Sequence, residues 1–156
     1  NNPDMDQEAF RETYHQVNER YCAYEKAILT HQCACSQSEK LHIAEREAAH
    51  CRSDAAQARC IRFLDTLKSH ARFALKLTGT TGALPHGKAI KIQVGGLRGL
   101  QQVLEPGQDQ ATPIEDVSGL ISRALERYKS LDRLPYSTIM QQVAAYKGRK
   151  RISRKT

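Results

Sequence analysis

Tryptophan is absent from this chain of 156 residues, and only nine of its residues are aromatic. A nucleic-acid-binding surface that stacks bases needs aromatic side chains, so their scarcity argues against such a surface. The sequence also lacks any run of the roughly 18 apolar residues that a membrane-spanning helix requires. It does not open on the basic, apolar and small-residue pattern of a secretory signal peptide. We therefore expect a cytoplasmic protein without a membrane span.

Glycine and proline are both missing from residues 4–78. Because both residues disfavour helix interiors, their absence predicts long helices in this half of the chain. Apolar residues recur at alternating spacings of four and three from Phe10 to Ile28, which predicts a first helix of about 25 residues. A capping-box pattern, Ser36 to Glu39, predicts the start of a second helix that extends to Cys51.

A third helix is predicted to begin at Ser53 or Asp54, since both residues are good N-caps. Its apolar stripe consists of Cys60, Leu64, Leu67, Ala71 and Ala74.

Residues 89–94 allow two interpretations. Apolar and polar residues alternate there as in an exposed strand, whereas Val94, Leu97 and the preceding Pro85 suit a helix. We favour the helix, because the sequence offers no second strand to pair with a lone one. Glycines at positions 95, 96 and 99 would then allow a neighbouring helix to approach closely.

Two further helices are predicted in the last third of the chain. Thr112 to Glu115 has the form of a helix start, with proline at the first helical position. Pro135 opens the last helix, which we expect to continue into the basic C-terminus. The sequence therefore predicts one all-α domain, residues 1–156, built as a bundle of five or six helices. Cysteine-bearing helices occupy 4–77 and the C-terminal helices occupy 85–151, with a short strand at 89–94 as the alternative.

The net charge of +7 is concentrated at the C-terminus. Without the last ten residues, 18 basic side chains face 17 acidic ones, so the rest of the chain is nearly neutral. A basic tail attracts phosphate-rich or acidic partners. We expect the tail, residues 147–156, to bind an acidic protein or a nucleic acid; the alternative is a merely solubilising terminus. Its basic residues are Lys147, Arg149, Lys150, Arg151, Arg154 and Lys155.

All five cysteines fall within 39 residues, and the 96 residues that follow Cys60 contain none. Three explanations compete: a metal or iron–sulfur site, packing of small apolar thiols, and a disulfide or redox switch. The odd count and the missing signal peptide argue against a disulfide framework. We therefore favour metal binding.

We predict four of the cysteines as metal ligands: Cys33, Cys35, Cys51 and Cys60. Four thiolates suffice for a [4Fe–4S] cluster, a [2Fe–2S] cluster or a zinc ion, although no familiar C-x-x-C spacing is present. A helix from 37 to 51 would be about 21 Å long and would separate Cys35 from Cys51. We therefore expect residues 33–40 to form a loop that folds back towards Cys51.

An alternative arrangement contains two groups at opposite ends of the bundle. One group would be Cys22, Cys51 and Cys60, and the other would be a Cys2His2 zinc site of Cys33, Cys35, His31 and His70.

The leading functional hypothesis is a cysteine-ligated metal-binding protein with an iron–sulfur cluster, acting in electron transfer, cluster handling or redox sensing. The rival is a nucleic-acid-binding regulator, in which zinc or redox-switch cysteines support the basic C-terminal helix. Helices over 112–131 and 135–151 would then form a helix-turn-helix. No acid–base constellation in the sequence points to an enzyme, so we expect a non-enzymatic role.

Overall fold

A computed structural model describes residues 18–43, 45–74, 85–107 and 113–147. This part of the chain is mostly helical and contains one small antiparallel sheet. Its elements, in order, are α1 (Glu25–Leu29), β1 (Ser38–Ile43), β2 (Arg46–Cys51), α2 (Asp54–Ala74), α3 (His86–Leu104), α4 (Val117–Tyr128), a short 3-10 helix (Leu131–Arg133) and α5 (Tyr136–Ala145).

Helix α3 lies at the centre of the core. Ile92, Val94, Leu97 and Leu100 on it are completely buried. The helix interpretation of residues 89–94 is therefore confirmed, and the alternative strand is wrong. Gln93 is also buried, and its side-chain carbonyl accepts a hydrogen bond of 3.1 Å from the Ala27 N–H. This bond ties α1 to α3 and satisfies a polar group that would otherwise be costly to bury.

The glycines of α3 allow close helix packing, as their positions in the sequence predict. A β-carbon on Gly99 would lie 2.8 Å from the Ile139 carbonyl oxygen of α5, and one on Gly96 would lie 2.5 Å from a Leu67 methyl carbon of α2. Real β-carbons do not approach other atoms so closely. Glycine therefore lets α5 pack directly against the backbone of α3.

The stripe predicted for α2 agrees well with burial, and α4 buries one face at a similar spacing. On α2, Cys60, Leu64, Leu67 and Ala71 are buried, whereas Ala74 is exposed. Phe63, which the stripe omits, is completely buried. On α4, Val117, Ile121 and Ala124 are buried, as is Leu131 in the 3-10 helix, and Tyr128 is half-buried. Amphipathic spacing identifies these helices because each buries one face only.

The predicted second helix is wrong: residues 38–51 form a β-hairpin. Ser38 pairs with Cys51 at one end and Ile43 with Arg46 at the other. Leu41 and Ile43 are half-buried, and their neighbours Lys40 and His42 are exposed. This alternation has the period of two that is typical of a strand, so the apolar residues that suggested a helix also fit a strand. The preceding segment stabilises β2 from its other side, where the Cys51 N–H donates to the Arg20 carbonyl at 2.6 Å.

The first predicted helix does not extend through residues 18–24, which form turns and one isolated bridge with β2. Of the long helix, the structure describes only α1; the residues before 18 lie outside the described part.

The predicted capping box is wrong too. Ser36 uses its N–H and its hydroxyl to donate to the Asp116 carboxylate, each at 3.0 Å, far away in the sequence.

Helix boundaries in the C-terminal half also differ from prediction. Helix α4 begins at Val117 rather than near Thr112, because Ile114 forms a bridge with Cys33 instead of a helical turn. Helix α5 begins after Pro135 as predicted but ends at Ala145, since Tyr146 adopts an extended conformation. The prediction of a helix up to 151 therefore holds only to Ala145 in the described residues.

No helix in the described ranges is both long and apolar enough to cross a membrane.

Candidate metal centre

Four of the five cysteines line one small cavity between the hairpin, α2 and the start of α4. They are Cys22, Cys35, Cys51 and Cys60. The volume of the cavity is about 10 Å³, and its remaining walls include Ala23, Ala56 and Val117. Four separate segments of the chain thus bring thiols to one apolar space. Only Cys60 lies in a helix, so the prediction of cysteine-bearing helices is wrong for the other cysteines.

The backbone ladder around β2 positions Cys22 and Cys51. The Cys22 N–H donates to the Ala49 carbonyl at 3.1 Å, and Cys51 is the last residue of β2. Gln57 of α2 donates to the Tyr21 carbonyl at 3.0 Å, which joins the same segment to the helix that carries Cys60. Backbone and side-chain hydrogen bonds therefore fix three of the four cysteine positions relative to one another.

A second set of contacts holds the segment around Cys35 against the start of α4. The Ala34 N–H donates to the Ile114 carbonyl at 2.8 Å, and the Val117 N–H donates to the Ala34 carbonyl at 2.9 Å. The Ser118 N–H in the first turn of α4 donates to the Cys35 sulfur at 3.4 Å. Free N–H groups at a helix start favour negative charge, so this contact suits a thiolate at Cys35.

Burial raises the pKa of Cys22 and of Cys60 to about 12, and it also raises the pKa of Cys35. Neighbouring thiols add a smaller increase to the pKa of Cys22 and of Cys60, and Asp116 adds one to the pKa of Cys35. Thiols of this kind stay protonated at neutral pH unless a cation stabilises the thiolates. Buried cysteines with raised pKa values are poor nucleophiles, so the cavity is a poor site for covalent catalysis.

Cys33, a ligand in the sequence-based set, does not line this cavity. It is buried, and its backbone forms the parallel bridge with Ile114. Burial raises the pKa of Cys33 to about 12, with Arg98 opposing the rise. The structure thus brings together Cys35, Cys51 and Cys60 from the predicted set and adds Cys22.

The Cys2His2 grouping considered from the sequence is not assembled. The His70 ring stacks on Tyr136, with ring centroids 4.4 Å apart, and His31 lines a separate groove. All five cysteines are free thiols. Within the described parts of the chain, no three His, Cys, Asp or Glu side chains are already arranged to hold a single metal ion.

Sequence reasoning missed two residues that matter at this site. Asp116 anchors Ser36, next to Cys35, and no local pattern reveals a contact across 80 positions. Tyr24 is completely buried in the same hydrophobic core as Cys33 and Cys60, and its hydroxyl has no hydrogen-bond partner among the described residues. A tyrosine in an apolar stripe looks like ordinary core, so the sequence does not reveal its unpaired hydroxyl.

The basic tail begins where the described residues end. Lys147 is exposed and follows α5, whereas Arg149, Lys150, Arg151, Arg154 and Lys155 lie outside the described residues.

Comparison of the chain with protein-family models, with curated proteins and with solved structures finds no match.

Proposed function

We propose that this protein binds an iron–sulfur cluster through Cys22, Cys35, Cys51 and Cys60 and acts in electron transfer, cluster handling or redox sensing. The observation that carries the proposal is that these four thiols, from four separate segments, line one cavity. Cys22 takes the place that sequence reasoning gives to Cys33. The proposed role is non-enzymatic, because the raised pKa values of Cys22, Cys35 and Cys60 make these thiols poor nucleophiles.

Two features favour ligands over simple packing. A small apolar cavity needs no sulfur, because alanine or valine would fill it equally well, yet four of the five cysteines lie there. The Ser118 N–H also donates to Cys35, and such hydrogen bonds stabilise the thiolate form that binds metal and tune the potential of a cluster.

The choice of a cluster over zinc depends on how the ligands are spaced. Structural zinc sites are usually built from paired cysteines in C-x₂₋₄-C turns. The four cysteines here are separated by 12, 15 and 8 residues, so no two of them share such a turn. A cubane cluster needs no such pair, because each cysteine binds a different iron.

The cavity itself sets a condition on the proposal. A volume of about 10 Å³ is roughly the space for one water molecule, so a cluster requires the surrounding segments to move outward. Cys22 and Cys35 lie in turns and loops rather than in helices. An outward movement of these two segments would have to break their hydrogen bonds to Ala49, Ile114 and Ser118, but it would leave the packing of α3 against α5 in place. When bound, the cluster supplies one-electron chemistry, while the chain buries it and donates hydrogen bonds to sulfur.

The deciding experiment is to purify and reconstitute the full chain without oxygen and to measure iron, sulfide, zinc and visible absorbance. We expect iron and sulfide in near-equal amounts and the broad absorbance of a cluster. Serine at any one of the four cysteine positions should lower bound iron, because metal binding and folding are coupled. Cys33→Ser is the matched control and should retain it.

Three results would reject all or part of the proposal. Colourless protein with one bound zinc would replace the cluster with a structural zinc site while keeping the ligands. Loss of metal in Cys33→Ser together with full retention in Cys22→Ser would restore the ligand set expected from sequence. Protein that binds neither iron nor zinc would leave packing as the explanation.

The basic tail gives a second candidate function, the binding of an acidic protein or a nucleic acid. Its charge density is the supporting observation, because six basic residues occur in the last ten. Helix α5 itself carries no lysine or arginine, and its buried face packs on the core, so it is a poor recognition helix. We therefore assign the partner to the tail rather than to a helix-turn-helix.

Deletion of residues 147–156 tests this assignment. The deletion should leave the free energy of unfolding and the metal content almost unchanged, since exposed charges contribute little to either. Salt-dependent binding of an oligonucleotide or an acidic protein should become much weaker. A full-length protein that binds neither would leave the tail as a solubilising terminus.

A further inference from the structure

An open groove of about 770 Å³ lies where the end of α1, the start of α3 and the residues after α5 meet. Its lining contains four basic side chains, namely His31, His86, Lys91 and Lys147, and no acidic one. We refer to this surface as the basic groove. It contains none of the four cysteines that line the other cavity.

Within the described ranges, no salt bridge occupies the basic side chains of the groove. The salt bridges between described residues join Arg20 to Asp54, Arg52 to Glu39 and Arg123 to Glu105, and none of them involves the groove. The charges of Lys91 and Lys147 in the groove are therefore not neutralised by the described part of the protein. Concave surfaces lined by charge of one sign raise the local concentration of the opposite charge.

The backbone of α3 adds to this charge. Helix α3 has 19 residues and begins at the groove with His86 and Gly87. Pro85, before it, makes no side-chain cap, and the first turn contains no acidic residue. The first N–H groups of a helix have no intrahelical acceptor and bear partial positive charge. Backbone donors and basic side chains therefore converge on one concave surface.

We propose that the basic groove binds the phosphodiester backbone of a single-stranded nucleic acid. Phosphate oxygens accept hydrogen bonds from lysine, histidine and helix-start N–H groups alike. The volume is that of a small-ligand site, which admits a strand but not a duplex. Lys147, which lines the groove, is also the first residue of the basic tail.

The proposed contact is with phosphates and not with bases. Tyr146 lines the groove but is only 9% exposed, and the Arg98 guanidinium lies over its ring, 5.2 Å from the centroid. Its ring is therefore not available as a platform for base stacking. Binding should be independent of base sequence and should weaken steeply as salt increases.

The test uses the full chain with its tail intact and a fluorescently labelled, single-stranded oligonucleotide of mixed sequence. The double variant His86→Gln/Lys91→Gln removes two groups from the groove. Lys40→Gln/His42→Gln is the matched control, because it removes the same two residue types from exposed positions of β1. Anisotropy titrations between about 50 and 200 mM salt give the affinity and its salt dependence.

We expect the groove variant to bind about 5- to 10-fold more weakly, with the slope of log K against log salt reduced by about 1, while the control pair binds like the wild type. Equal losses in both variants, or no loss in the groove variant, would overturn the proposal. If loss of binding occurs only on deletion of 148–156, the tail alone is responsible and the groove proposal fails.

Two competitors separate a nucleic acid from other anions. A mononucleotide that displaces the strand as well as an unlabelled oligonucleotide at equal phosphate concentration would assign the groove to a small phosphate ligand. Polyglutamate that competes equally well at matched charge would assign it to an acidic protein. The proposal requires both competitors to be much weaker. A second oligonucleotide of unrelated sequence should bind with the same affinity as the first.

Discussion

Gly95 of α3 and Val143 of α5 approach so closely that a β-carbon on Gly95 would lie 2.7 Å from the Val143 α-carbon. No rotamer change relieves such a contact, because the obstructing atom belongs to the backbone. The contact at Gly96 differs, since the nearest atoms there are the methyl carbons of the Leu67 side chain. Two neighbouring glycines therefore constrain the core in different ways.

We predict that Gly95→Ala lowers the free energy of unfolding by about 1–2 kcal/mol, because the cost of overpacking exceeds the gain in helix propensity. Gly87→Ala in the same helix is the matched control. A β-carbon on Gly87 would meet no atom within 4 Å, so this change should raise stability by about 0.5 kcal/mol. Urea denaturation of the three proteins measures both effects. Equal stability of the two variants would contradict the packing described here.

The long helices could be predicted from the sequence because their signals are local. Helices α2 and α3 each bury a face of regularly spaced apolar residues, and the glycines in α3 correctly predict close packing. The hairpin could not be predicted in this way. Leu41 and Ile43 fit a period of two, but residues 37–51 also fit a helical stripe. Strand β2 also pairs with residues 20–22 on its other side, a contact that no local pattern reveals.

For the candidate metal centre, too, some features could be predicted from the sequence and others could not. Crowding of the cysteines in the sequence predicts a shared site in the first half of the chain, and four of the five cysteines line one cavity. The choice between Cys22 and Cys33 depends on tertiary contacts. The bond from the Cys22 N–H to Ala49 places one thiol at the cavity, and the bridge to Ile114 holds Cys33 elsewhere. Neither contact has a signature in spacing, since both join distant segments.

Two tyrosine-to-phenylalanine changes should have opposite effects on stability. The Tyr24 hydroxyl is completely buried without a partner among the described residues, so Tyr24→Phe should raise the free energy of unfolding by about 1 kcal/mol in metal-free protein. The Tyr136 hydroxyl donates to the Leu131 carbonyl at 2.5 Å, so Tyr136→Phe should lower it by about 1 kcal/mol. A destabilised Tyr24→Phe variant would show that the hydroxyl has a partner after all.

Alkaline pH should destabilise the protein partly through Tyr136. Burial raises the pKa of Tyr136 to about 12, despite an opposing hydrogen bond from Thr66, whereas an unfolded tyrosine titrates near pH 10. The folded state therefore favours the neutral phenol. Its contribution to stability is complete below about pH 10 and is lost between about pH 10 and 12, at up to about 1.4 kcal/mol per pH unit.

The pH profile of Tyr136→Phe tests this linkage. Its free energy of unfolding should fall less steeply than that of the wild type between about pH 10 and 12. Parallel profiles for wild type and Tyr136→Phe would show that the Tyr136 phenol titrates alike in the folded and unfolded states.

Asp116 should matter to the metal centre although its carboxylate need not touch the metal. It accepts hydrogen bonds of 3.0 Å from both the N–H and the hydroxyl of Ser36, and so holds the segment that carries Cys35 against α4. Asp116→Ala removes both bonds, which should cost about 1–3 kcal/mol of stability and lower the bound metal. Asp116→Asn keeps an acceptor oxygen and should restore much of the metal content. Glu115→Ala, which removes the exposed neighbouring carboxylate, is the control and should bind metal fully. Metal analysis and denaturation of the same samples measure both effects, and full metal content in Asp116→Ala would show that the Cys35 segment is held in place without this contact.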